Sequence, residues 1–238
     1  MTKLEAMNER RSRRLYLEKP IEASIISRLQ NLIDTYNTAS GLSIRFIEDG
    51  SSVFSSFRKT YGLFSGVRSL FALVGPKNDP NLKEKVGYFG EMLVLDATIL
   101  GLGTCWVGGT FETQSTIFQL TDEEALVCVI PVGYVEPLSF KEKMVHQMVA
   151  GKSKSMEQLL NSDSKLPEHL MEGMKAVQKA PSAVNRQPVR FEYKGGILTV
   201  NTEDNGKFNL VDLGIVKAHF EVATGGRFER GNPANYVP

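Results

Sequence analysis

Cysteine and histidine are scarce in this chain. Its two cysteines, Cys105 and Cys128, stand 23 residues apart in apolar surroundings, and His146, His169 and His219 are scattered without ligand spacing. That pattern offers no disulfide framework and no zinc site, and it predicts buried thiols in a reducing compartment. Charge of one sign is missing too. Lys and Arg number 28 against 27 Asp and Glu, a net charge of +1, so no global field attracts nucleic acid or an anionic membrane. Long hydrophobic runs are absent. The longest apolar stretch, MLVLDATILGLGTCWVGG, is broken by Asp96 and by glycines, and a span needs roughly 20 clean apolar residues. MTKLEAMNERRSRR has no apolar export core, and Glu5 and Glu9 argue against an organellar transit peptide. The expected location is the cytoplasm.

Familiar catalytic signatures are missing as well. There is no G-x-G-x-x-G fingerprint, no GK[ST] phosphate loop and no G-x-S-x-G elbow, and no histidine or carboxylate pair stands near a nucleophile. Any chemistry is expected to reside in a cofactor rather than in side chains.

What is present reads as α+β. PIEASIISRLQNLIDTY (20–36) places Ile21, Ile25, Leu29, Leu32 and Tyr36 at helical spacing, with Pro20 at the start. SIRFIED alternates as a strand and runs into a DG turn, and SLFALVG is a short buried strand. VGYFGEMLVLDATILGLG (86–103) is apolar on nearly every side, which predicts a buried helix. LVCVIPVGYV (126–135) reads as a central strand, although Pro131 cannot donate to a ladder. Residues 139–165 are polar and lysine-rich, a connector with one short helix at most.

Beyond the connector the first pattern returns. Leu170, Met174 and Val177 lie 145 positions after Ile25, Leu29 and Leu32, Arg190-Phe191 repeats Arg45-Phe46, and Gly195 repeats Gly50. GILTVN follows as a hairpin partner across Lys194-Gly195-Gly196, and LVDLGIVKAHFEVAT closes the order with a second helix. The shared offset predicts an internal duplication, with residues 1–150 as the first half and 151–238 as a shorter second half of one compact unit. Each half lacks something the other has. GTCWVGGTF and IPVGY occur only in the first, and APSAVNRQP only in the second. That complementarity predicts one composite site.

Four segments could build it. Arg10, Arg11, Ser12, Arg13 and Arg14 offer guanidinium forks and a hydroxyl suited to a phosphate, although a solvated basic face gives the same pattern. Nucleic acid is the weaker alternative, since no aromatic residues interleave with the basic ones. Lys152 and Lys154 form a second cationic pair, which by itself reads as a solvated loop. Gly108 and Gly109 allow a ligand to approach the backbone N–H groups closely, or simply follow a helix stop. APSAVNRQP puts a hydroxyl and amide donors and acceptors within six residues, a set that can pair with the edge of a polar ring.

Together these motifs resemble the FMN-dependent nitroreductases over most of the chain. That family opens with R-[RH]-S-x-[RK]-x-[FY], here Arg10 to Tyr16, and carries A-P-S-x-x-N-x-Q-P, here Ala180 to Pro188. It also has GLG-x-x-W, here Gly101 to Trp106, and P-V-G-Y, here Pro131 to Tyr134, followed by a basic pair, here Lys152 and Lys154. In the family the A-P-S loop follows the first helix and reaches across a homodimer interface. Here it stands in the second half, so the resemblance implies a nitroreductase-like fold in which one chain mimics the dimer, a monomer acting as a pseudo-dimer. It implies FMN as cofactor, NAD(P)H as reductant and a nitroaromatic, quinone or similar small acceptor, with no nucleic-acid or membrane partner.

The resemblance also assigns roles. Arg10, Ser12, Lys152 and Lys154 would bind the FMN phosphate, with Arg11 as helper, and Arg14 would reach the ribityl or pyrimidine end. The backbone at Val107, Gly108 and Gly109 would face the flavin, and Pro181, Ser182, Asn185 and Gln187 would line its other side. Gly108 replaces a glutamate common in the family, which leaves a non-catalytic flavin or nucleotide binder as the alternative.

Overall fold

The computed structural model describes residues 1–55, 63–138, 144, 153–203 and 206–238. Helix α1, Lys3–Glu9, starts at a reciprocal cap: Glu5 N–H donates to Thr2 Oγ1 and Thr2 N–H to the Glu5 carboxylate. The motif satisfies two donors that a helix start leaves unpaired. Helix α2 spans Ala23–Ser40 and turns its Leu29 and Ile33 inward. It begins three residues after Pro20 rather than at it, with Glu22 as N-cap.

A four-stranded sheet holds the first half, with β1 (Arg45–Ile47), β2 (Ser69–Pro76), β3 (Gly103–Thr104) and β4 (Glu124–Gly133) in the order β1-β2-β4-β3, all pairs antiparallel. β2 is buried on both faces as far as Gly75, which explains its unbroken apolar run. One face packs on α2 and on helix α3, Leu82–Ile99, and the other on Phe54, Phe111 and Phe118. Pro131 does sit in the inner strand β4. Its carbonyl accepts from Cys105 N–H at 3.4 Å and from Tyr16 Oη at 3.1 Å. A strand residue points its N and C=O the same way, so the missing donor falls on the side of the short edge strand β3, where a ladder bond is least needed.

The connector contributes a helical turn, Met156–Leu159, and a strand, β5 (Leu160–Ser162), that runs parallel to β6 (Arg190–Lys194). Helix α4, Glu168–Val177, precedes β6. β6 turns into β7 (Ile197–Asn201) through Gly195 and Gly196, whose φ values of 56° and 82° supply the two left-handed residues a tight hairpin needs. Helix α5, Asn209–Thr224, follows, and a terminal pair, β8 (Arg227–Phe228) and β9 (Ala234–Val237), completes the order β5-β6-β7-β9-β8.

The two halves meet where α3 crosses α5. A Cβ on Gly87 would stand 2.0 Å from Val211 O, and one on Gly214 would stand 2.0 Å from Glu84 O. Each helix therefore uses a glycine to let the other's backbone into contact. Two polar contacts are sealed beside the crossing: the ion pair Lys217 Nζ–Glu84 Oε1 at 2.8 Å and the hydrogen bond between His219 Nε2 and Glu91 Oε1 at 2.9 Å. No described helix is long and apolar enough to cross a membrane.

Candidate functional site

The basic segment leaves α1 in extended conformation and lies beside β3, with Arg13 N–H donating to Thr104 O at 2.8 Å. Extended backbone alternates side-chain direction. Arg10, Ser12 and Arg14 all act on the buried Cys105 thiol, whose pKa burial raises while the two guanidiniums and the Ser12 hydroxyl draw it down. Arg11 is exposed and folds back to donate to Asn8 O and Arg10 O. The structure thus brings Arg10, Ser12 and Arg14 together and leaves Arg11 apart. Arg13 is buried and donates to Glu136 O at 2.5 Å, which anchors the segment.

Cys105 leads into Trp106, Val107, Gly108 and Gly109. The Val107 N–H donates to Val129 O at 2.9 Å, so that group serves the sheet. Among the described residues no hydrogen bond uses the N–H of Gly108 or Gly109. A Cβ on Gly108 would lie 2.2 Å from Phe208 Cζ, so a second-half ring rests directly on this first-half turn. Lys207 Nζ stands 5.1 Å over that ring.

The loop from Pro181 to Gln187 follows α4 and is held by α5. Ala183 N–H donates to both oxygens of Asp212, at 3.1 and 3.3 Å, and Asp212 lies in the first turn of α5, four residues after Phe208. Burial raises the Asp212 carboxyl to about 7, against opposing pulls from the Ala183 N–H and Arg186. One helical turn therefore holds both walls of the candidate site. Within the loop Gln187 N–H donates to Ser182 Oγ, and Val184, Asn185 and Gln187 take φ values of 46°, 54° and 45°. Left-handed backbone at three non-glycine residues, one of them β-branched, is strain of the kind concentrated at ligand clamps. Lys179 Nζ donates to Asn8 Oδ1, which fastens the start of the loop to the end of α1.

Lys154 joins the loop: its N–H donates to Gln187 Oε1 at 2.7 Å and its Nζ to Gln187 O at 2.9 Å. Burial, then Arg190, holds its pKa below the ordinary lysine value. Lys152 lies outside the described residues. Deeper in, Glu91 accepts from Trp106 Nε1 at 2.8 Å and contacts His219, while Arg10 Nε lies 3.8 Å from Glu91 Oε1 and is buried without a hydrogen-bond partner among the described residues. Sequence reasoning missed Glu91, His219, Phe208 and Asp212. For Glu91, His219 and Asp212 the available signal was a charged or polar residue inside an otherwise apolar helical run; Phe208, an apolar residue at the N-cap of α5, offered none.

No group of His, Cys, Asp and Glu among the described residues could hold a metal ion. The site offers guanidiniums, a hydroxyl, two glycine N–H groups, amides and aromatic rings, a donor set for an anionic planar ligand.

Among solved structures, one described as a putative nitroreductase from Thermotoga maritima is 22% identical over 99% of this chain and 92% of its own, with a TM-score of 0.67, and that likeness shows the fold. A nitroreductase family protein from Clostridium difficile is 16% identical over 70% of this chain and 100% of its own (TM-score 0.49). A putative NADH oxidase from Clostridium acetobutylicum is 23% identical over 56% and 89% (TM-score 0.45). No curated protein matches. The family model described as "Putative TM nitroreductase" matches residues 2–224, from the cap of α1 through the end of α5, and so takes in every segment of the site: the chain belongs to this nitroreductase family.

Proposed function

We propose that the basic segment, the Gly108–Gly109 turn and the Pro181–Gln187 loop form one FMN site per chain, shared between its two halves. The protein is a nitroreductase-type flavin oxidoreductase with NAD(P)H as its reductant. FMN, when bound, supplies the hydride-accepting and hydride-donating centre that no side chain here provides. The observation that carries the assignment is the gathering of Arg10, Ser12 and Arg14 around Cys105, with a buried Arg10 Nε that has no hydrogen-bond partner among the described residues and stands 3.8 Å from Glu91 Oε1. A buried guanidinium donor in that state is stabilised by an anion with oxygen acceptors.

Arg10 and Ser12 hold the phosphate, with Arg11 close by in sequence but pointing to solvent. Arg14 reaches toward the ribityl or pyrimidine end. Gly108 and Gly109, without side chains, offer N–H groups where negative charge must be stabilised. Pro181, Ser182, Asn185 and Gln187 line the opposite wall, and Lys154 braces that wall through Gln187. Lys152, by its place in the sequence motif, adds a further phosphate ligand. The acceptor is a nitroaromatic, a quinone or a similar flat molecule that takes the place NAD(P)H vacates.

We also infer that the chain is an internally duplicated pseudo-dimer. The order α2-β1-β2-α3 recurs as α4-β6-β7-α5, and the glycine contacts of α3 and α5 are reciprocal. Titration with FMN, followed by the visible spectrum, tests both readings. One FMN per chain is expected, with affinity lost in Arg10→Ala and Asn185→Ala, followed by NAD(P)H oxidation when a quinone is added. Two FMN per chain would refute the composite site. No binding at saturating FMN would refute the flavin assignment, and binding without NAD(P)H oxidation would mark a flavin binder without turnover.

A further inference from the structure

The α3–α5 crossing seals a polar cluster that the proposed function does not use. Glu91 and His219 are both 0% exposed. His219 Nδ1 lies 3.1 Å from Ala176 O, which can only accept, so Nδ1 carries a proton. Nε2 lies 2.9 Å from Glu91 Oε1, and two lone pairs cannot face each other at that distance, so a second proton lies between them. Whether it sits on nitrogen or oxygen, the pair carries no net charge. The other Glu91 oxygen accepts from Trp106 Nε1. Arg10 Nε, at 3.8 Å from Glu91 Oε1, is too distant for a hydrogen bond. Arg10, Glu91 and His219 therefore sum to one buried positive charge. Without His219, Glu91 would be a carboxylate beside Arg10, and the two would cancel.

We propose that His219 is a positioning residue for anion recognition: by keeping a proton on Glu91 or against it, it cancels that carboxylate and leaves the Arg10 guanidinium to pair with the phosphomonoester of FMN. The inference rests on the FMN reading above. It makes His219, on the far side of the helix crossing, a determinant of how strongly the site prefers a phosphorylated flavin.

The test compares affinities for FMN and riboflavin, which share the ring and differ in the phosphate. The wild type is expected to favour FMN by about 100-fold. His219→Gln should cut that ratio by about tenfold or more while moving riboflavin affinity by less than about threefold, and adding Glu91→Gln should restore the ratio, because Arg10 again faces no opposing carboxylate. An unchanged ratio in His219→Gln, an equal loss for both flavins, or no rescue in the double variant would overturn the proposal. A wild type that binds flavins with no preference for FMN would instead refute the phosphate grip itself. Where the variants fail to fold, the wild-type ring reports directly. 15N NMR should find a proton on Nδ1 of His219, donated to the Ala176 carbonyl, and a bare Nδ1 would overturn the charge assignment.

Discussion

Asp212→Asn should make the protein more stable at alkaline pH and remove a defined part of its pH dependence. Asp212 is 2% exposed, and its carboxyl is raised by burial from 3.8 to about 7. At roughly 1.4 kcal/mol per pH unit, that difference corresponds to about 4 kcal/mol. In the unfolded chain the group loses its proton near its ordinary value, while in the folded chain it keeps the proton to about 7. The folded state thus binds more protons across that window, and stability falls as pH rises through it, then levels off above. Asparagine cannot ionise, yet its Oδ1 can still accept from Ala183 N–H. Urea unfolding of wild type and variant from about pH 4 to 8 should give curves that diverge by about 3–4 kcal/mol, with the variant the more stable at the alkaline end. Other titrating groups, such as Glu221 and Lys217, act on both proteins and cancel in the difference. Parallel curves would refute the claim that Asp212 is buried with a raised pKa.

Two further substitutions probe the crossing that joins the halves. Gly87→Ala drives a Cβ to 2.0 Å from Val211 O, and because a carbonyl on a helix cannot move aside alone, the helices must separate. A loss of about 3 kcal/mol or more is expected, read as a drop in Tm. Lys217→Met removes the 2.8 Å partner of Glu84 at a site 1% exposed, so the buried carboxylate keeps only the Gly231 N–H and the more exposed Arg230 guanidinium, 3.9 Å away. About 3–5 kcal/mol should be lost in chemical denaturation, and Lys217→Met combined with Glu84→Leu should recover much of it.

Local pattern made much of the fold legible. The apolar run of β2, the all-round apolar α3 and the Gly195-Gly196 turn are each dictated within a few residues. β5, β8 and β9 were not legible, because two to four residues of ordinary composition become strands only when β6 offers an edge to β5, β7 to β9 and β9 in turn to β8. The short helix α1 is not legible for a similar reason: it is held by packing of Ala6 and Met7 on Leu95 and Ala176.

For the site, residue type and order were enough to mark the basic segment, the glycine turn and the second-half loop, since guanidiniums, missing Cβ atoms and clustered amides have meanings that belong to the residues themselves. Tertiary structure decided which of them act together. Arg11 and Arg14 look equivalent in the sequence, and only the extended path beside β3 leaves one exposed and brings the charge of the other to bear on Cys105. Glu91, His219 and Asp212 show locally only as polar residues inside apolar helical runs, and Phe208 shows nothing. Their roles arise from partners far away in the chain, across a crossing that two glycines make close enough for charge, hydrogen bonds and ring contacts to act.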